Sequence, residues 1–118
     1  MKQQVMLLVN DDKKIYKLPL LASVYNGLAV HKSFTIEDGT LVERDKYFTW
    51  DVSHVGTGLH IDGCDFSRKR DAVAFAKALS KGVDLDTDSQ AEAIKRILEK
   101  YTREQCLEMR SAARVGKL

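Results

Sequence analysis

The spacing of apolar residues changes once along this chain, near Asp65 to Ser67, and that change limits the folds open to it. Before it, apolar residues mostly alternate with polar ones, and the breaks are Asn, Asp and Gly. After it, they recur every three to four positions, and segments start on Ser or Thr. Alternation marks half-buried strands; the longer period marks amphipathic helices. The expectation is an α+β domain: a mainly antiparallel sheet of four to six strands over residues 5–65, packed against two or three C-terminal helices over residues 67–114. With 118 residues, one domain over 1–118 can bury a core without disulfides or metal.

In the first half, Val5 to Val9 reads as a strand and Asn10-Asp11-Asp12 as a turn. Lys14 to Leu20 follows, and Pro19, which cannot donate to a ladder, marks an edge or an end. Asn26-Gly27 is a hairpin signal between Leu21–Tyr25 and Leu28–Thr35, and Asp38-Gly39 another, leading into Thr40–Glu43. Tyr47 to Val55 alternates most clearly, with Phe48, Trp50, Val52 and His54 on one side and Thr49, Asp51 and Ser53 on the other. Thr57-Gly58 then turns into Leu59–Ile61, which Asp62-Gly63 should end.

In the second half, Ser67 is placed to cap a first helix with inner face Ala72, Phe75, Ala76 and Leu79, and Gly82 to end it. Thr87 and Gln90 have the spacing of a capping box for a second helix, whose stripe is Ile94, Ile97, Leu98 and Tyr101. Thr102 and Gln105 repeat the device, so a third helix should span 102–114, after a break near Tyr101-Thr102. Its apolar set, Cys106, Met109 and Ala113, is thin, which suggests a peripheral helix. The expected core is Phe48, Trp50, Val52, Phe66, Phe75, Leu79, Ile94 and Leu98.

Residues that carry chemistry are sparse. The three histidines, His31, His54 and His60, match no metal-ligand spacing, and one buried and two surface imidazoles are expected. Cys64 and Cys106 should be reduced thiols packed as small hydrophobes. Ser53-His54 and Thr57 lack the context of a hydrolase elbow. Gly56-Thr57-Gly58 precedes a strand, whereas a dinucleotide site needs a helix there. Asp84, Asp86 and Asp88 share the start of a calcium loop, but Ser89 and Lys95 stand where it needs Gly and Glu. No catalytic residue, metal, cofactor or small-molecule substrate is indicated. The longest strongly apolar runs, such as Val5 to Val9, are far too short to span a bilayer. A cytoplasmic, non-enzymatic protein is expected.

Charge is more informative by position than by total. Residues 1–64 hold seven Lys/Arg and eight Asp/Glu, a balance of −1; residues 65–118 hold twelve and nine, a balance of +3, so the helical half carries the positive charge. Arg70, Lys77 and Lys81 stand at i, i+7 and i+11, within about 40° of one another on a helix. Arg68 and Lys69 add charge at its start. Arg103, Arg110 and Arg114 repeat the spacing on the third helix. Such rows could follow a phosphate backbone.

The run Phe66-Ser67-Arg-Lys-Arg-Asp71-Ala72-Val-Ala-Phe75-Ala76 resembles the sheet-to-helix junction of several small families, the AP2-type DNA-binding domain among them. That family reads DNA with arginines along its strands. Tyr47 to Val55, the matching strand here, has none, so its function does not carry over. The leading expectation is a nucleic-acid-binding module using Arg68, Lys69, Arg70, Lys77 and Lys81, supported by Arg103, Arg110 and Arg114. The alternative is a protein-interaction or inhibitor module that homodimerises or takes a protein partner through Cys106, Leu107 and Met109. Its size and lack of motifs would also suit a phage or mobile-element accessory protein.

Overall fold

A computed structural model describes residues 2–11 and 14–118. The element order is β1 (Lys2–Asp11), β2 (Lys14–Tyr25), β3 (Leu28–Lys32), β4 (Phe34–Glu37), β5 (Thr40–Glu43), β6 (Trp50–His54), β7 (His60–Phe66), α1 (Lys69–Ser80), α2 (Gln90–Leu98) and α3 (Arg103–Arg114). Strands precede helices, and the fold is α+β. Five strands form one antiparallel sheet in the order β1-β2-β3-β6-β7, and β4 and β5 form a separate hairpin.

Both hairpin signals hold. Asn26-Gly27 and Asp38-Gly39 take positive φ at both turn residues (49° and 86°, 52° and 73°), the twist that two-residue hairpins need. Other boundaries moved. β2 runs straight through Pro19, which stands opposite Met6 in the β1–β2 register; β3 meets β2 only at Ser23–Tyr25, so at Pro19 the other flank of β2 carries no ladder. The strand expected over Leu28–Thr35 breaks at Ser33, whose hydroxyl accepts from the Thr49 amide. β7 continues past Asp62-Gly63 to Phe66, because Gly63 absorbs a φ of 74° within the strand. Asn10 and Asp11 belong to β1; Asp12, the third residue of the expected turn, lies outside the described residues.

The sheet curls until β1 meets the turn after β6. There the Leu8 amide donates to the Gly58 carbonyl at 2.7 Å. Gly58 has φ 74°, and a Cβ on it would lie 2.6 Å from the Met6 carbonyl oxygen. Only glycine permits that approach.

Alternation along the strands divides the apolar residues between two cores. Inside the curl lie Val5, Leu7, Leu20, Ala22 and Ala29, closed by Phe34 and Leu41 of the small hairpin. On the other face Leu28, Val30, Val52 and Phe66 meet Ala72, Phe75, Ala76 and Leu79 of α1, which covers the sheet as expected. Phe66 and Phe75 contact at 5.3 Å between ring centres. Burying each ring is worth about 1.5–3 kcal/mol.

The helix starts show which capping signals compete successfully. Thr102 and Gln105 form the full capping box of α3, and α3 is separate from α2. For α2 the cap is Ser89, whose hydroxyl accepts from the Glu92 amide; Thr87 instead accepts from the Ser89 amide, so the expected cap was two residues early. Ser67 does not cap α1. β7 reaches Phe66, the helix starts after Arg68, and no side chain caps it. Gly82 follows the C-terminus of α1 with φ 71°, as expected.

Helix packing reverses the expected ranking. α3 lies against α1 and β7, with Ala113 buried and Cys106 and Met109 half-buried on the core, so it is not peripheral. Its small inward residues permit close approach to α1. α2 is the looser helix, with only Ala93 buried. Val52, Phe66, Phe75 and Leu79 are in the core as expected, and Phe48 and Trp50 are half-buried. Ile94 and Leu98 are not core residues: they remain 44% and 37% exposed, facing a cleft instead of a wall.

Candidate functional site

The cationic residues divide into those engaged within the molecule and those turned outward. Asp71, buried in the first turn of α1, accepts from Arg68 Nε at 3.1 Å and lies 3.9 Å from Arg70 Nε. Arg114 Nη2 meets Asp65 Oδ1 at 3.1 Å and donates to the Gly63 carbonyl; its guanidinium also lies 6.0 Å from the Phe66 ring centre. Arg110 points toward β7 near Gly63, and Arg103 lines the same cleft as Arg110. Among the described residues Lys69, Lys77 and Lys81 have no carboxylate partner within salt-bridge range. Lys81 is exposed, and its carbonyl accepts from Lys100 Nζ.

Two of these outward lysines, Lys69 and Lys77, sit on aromatic rings. Lys69 Nζ lies 5.5 Å from the centre of Trp50, and Lys77 Nζ lies 5.2 Å from that of Tyr25. Lys32, opposite Trp50 in the β3–β6 register, places its ammonium 4.5 Å from Phe48 and 5.8 Å from Trp50. Phe48 and Trp50 meet edge to face at 5.9 Å. Lys69 and Lys77 are eight residues apart, so the two stations are separated by about 12 Å along α1. Cation–ring contacts of this kind add about 0.5–1 kcal/mol each when exposed. The basic row on α1 was readable from helical spacing. Its aromatic neighbours were not, because they depend on the register that brings Lys32 beside Trp50 and on where α1 crosses the sheet.

Two histidines are buried, where one was expected. His31 donates Nδ1–H to the Lys32 carbonyl at 2.9 Å, which leaves Nε2 to accept from the Ser53 hydroxyl at 2.9 Å. Burial lowers its pKa, and the Lys32 carbonyl and the nearby Asp51 charge oppose that shift. His54 faces the other side of the sheet from Ser53. Its Nε2 donates to the Leu85 carbonyl at 2.7 Å, and its Nδ1 accepts from the Thr57 hydroxyl at 2.9 Å. That bond ties the α1–α2 connection to β6. His60 is exposed, with Nε2 4.0 Å from Asp51 Oδ2. Each buried imidazole thus has a defined tautomer and a full set of partners, and Ser53 and His54 do not share a site. Asp84 accepts from the Asp86 amide and lies near Arg96.

Cys64 and Cys106 are free thiols. Burial pushes Cys64 up to about 11 and raises Cys106 as well, so neither is primed as a nucleophile at neutral pH. Both line a cleft of about 540 Å³ between the β6–β7 region and the pair α2 and α3. Leu28, Phe75 and Leu79 form its floor, Leu59 and Ile61 one wall, and Ile94, Ile97 and Leu98 the other. Arg103, Leu107 and Arg110 bring α3 to its mouth. Of the three residues considered for self-association, Cys106 and Met109 turn into the core, and only Leu107, 51% exposed, faces outward.

No helix among the described residues is long and apolar enough to cross a membrane. Compared with protein-family models, curated proteins and solved structures, the chain has no match in any of the three.

Proposed function

We propose that this protein is a non-enzymatic module that binds single-stranded nucleic acid along α1 and the adjoining strand ends. The observation that carries the reading is the placement of Lys32, Lys69 and Lys77 on the half-buried rings of Phe48, Trp50 and Tyr25. Aromatic platforms beside lysines are how unpaired bases and their phosphates are held without sequence readout, at about 1–3 kcal/mol per stacked base. Lys81 extends the charge along α1. Arg68 and Arg70 share Asp71 and Arg114 is engaged with Asp65, so these three contribute less than helical spacing alone suggests.

Trp50 is the only tryptophan, so its emission reports the site directly. Titration with fluorescently labelled oligothymidine, and with a duplex of equal length, should show preference for the single strand and affinity falling steeply with salt. Four lysine contacts would give a slope of roughly −3 in log affinity against log salt. Trp50 emission should be quenched at saturation, and Lys69→Glu with Lys77→Glu should abolish binding. Binding that ignores salt, or saturation without quenching, would refute the reading.

A second reading, self-association through α3, rests on exposed Leu107. Because α3 packs on the core, the informative comparison is light scattering of the full chain and of Leu107→Glu, not of a truncated chain. Equal monomer masses at all concentrations would remove this reading.

A further inference from the structure

The cleft between α2, α3 and the β6–β7 region is a second candidate surface, and it has chemistry of its own. Three observations bear on it. First, Ile94, Leu98 and Leu107 are 44%, 37% and 51% exposed although each lines this concavity, so its walls hold aliphatic surface that none of the described residues covers. Second, its charge has one sign. Arg103 and Arg110 line it, and no carboxylate stands among the described lining residues. Third, Arg110 Nε is buried, and among the described residues nothing accepts its hydrogen bond. A buried donor without an acceptor is costly, and the Nε edge of a guanidinium is one half of the fork that grips a carboxylate.

We propose that this cleft is a binding site for a small amphipathic carboxylate, with its aliphatic chain on the apolar floor and its carboxylate held by Arg110 and Arg103. The volume of about 540 Å³ lies within the range of small-molecule sites. Depth favours a flexible chain over a second protein. The floor is formed by Leu28, Phe75 and Leu79, core residues that a flat protein surface would not reach, whereas an acyl chain can descend to them. A bound carboxylate would pair with the Arg103 and Arg110 guanidiniums and cover the exposed aliphatics of α2 in one step. No sequence motif announces such a site, because its lining comes from five separated segments.

The test uses the full chain and sodium decanoate, with decyltrimethylammonium as the probe of equal tail and opposite charge. Calorimetry should give saturable one-to-one binding of decanoate, at least tenfold tighter than that of the cation. Amide shifts in a nitrogen-15 spectrum should cluster at Ile61, Ala93, Ile97 and Cys106. Arg110→Gln should weaken decanoate about tenfold and leave the cation unaffected. Arg103, exposed at the mouth, provides an independent variant should Arg110→Gln fail to fold: Arg103→Gln should weaken decanoate severalfold with an unchanged circular dichroism spectrum. Absence of saturable decanoate binding, equal affinity for the cation, or shifts confined to β1 and β2 would overturn the proposal. So would a concentration-dependent dimer that buries the same amides without decanoate, since the occupant would then be a second copy.

Discussion

His31 shows what a single buried residue contributes to this fold. Its ring lies inside the curl of the sheet, 2% exposed, bonded at both nitrogens in the neutral form. Burial, against the opposing pull of the Lys32 carbonyl and Asp51, holds the folded pKa below the ordinary 6.5, and the sign of the pH effect follows. Above about pH 6.5 neither the folded nor the unfolded chain protonates this ring, and its contribution to stability is intact. As pH falls below that value the unfolded chain takes up the proton first, so stability declines until the lowered folded pKa is reached. The loss is at most about 1.4 kcal/mol per pH unit from one group. Urea denaturation at a series of pH values from neutral to mildly acidic should show this decline, and His31→Gln, less stable overall, should show a flatter profile. Alternation placed His31 opposite Leu28 and Val30, on the correct face. It could not say that the face was covered, because closure depends on the meeting of Leu8 with Gly58, far apart in sequence.

Among the elements, the helices differ in how firmly the chain specifies them. α3 has a full capping box and three residues on the core (Cys106, Met109 and Ala113), whereas α2 has one cap bond and two (Ala93 and Ile97). This difference makes a prediction about side chains of similar chemistry. Leu79→Ala, at 4% exposure in α1, should cost about 2–5 kcal/mol, as large-to-small changes in a core do. Leu98→Ala in α2 should cost well under about 1 kcal/mol, because its side chain already meets the cleft. Thermal or chemical melts of the two variants decide it; equal losses would place α2 in the core after all. The apolar stripe Ile94, Ile97 and Leu98 was legible as helical, and its helix formed. Periodicity identifies which face is apolar but not whether anything lies against it: Ile97 does pack on the core, but reading Ile94 and Leu98 as core was wrong. The caps at Ser67 and Thr87 failed for a related reason: a Ser or Thr near a helix start is capable of capping, but the neighbouring strand and loop decide which residue is positioned to do so.

At the scale of the molecule, one sheet serves two cores, and the order of strands before helices is what allows it. The division was legible in the change of period near Asp65, as were both positive-φ hairpins and the boundaries of α3. The cleft and the lysine–aromatic stations were not, because both are products of register and helix crossing, which link segments such as Lys32 with Lys69 across the sheet. Arg114 has a consequence on this scale that extends past its own ion pair. β7 is the last strand of its sheet, and the guanidinium occupies the carbonyls of Gly63 and Asp65 that would otherwise be open to pairing. A terminal strand with free carbonyls is a template for strands of other molecules. Arg114→Ala should therefore fold with little loss of stability yet assemble more readily into thioflavin-positive fibrils on prolonged agitation, so that one side chain guards the protein against its own kind.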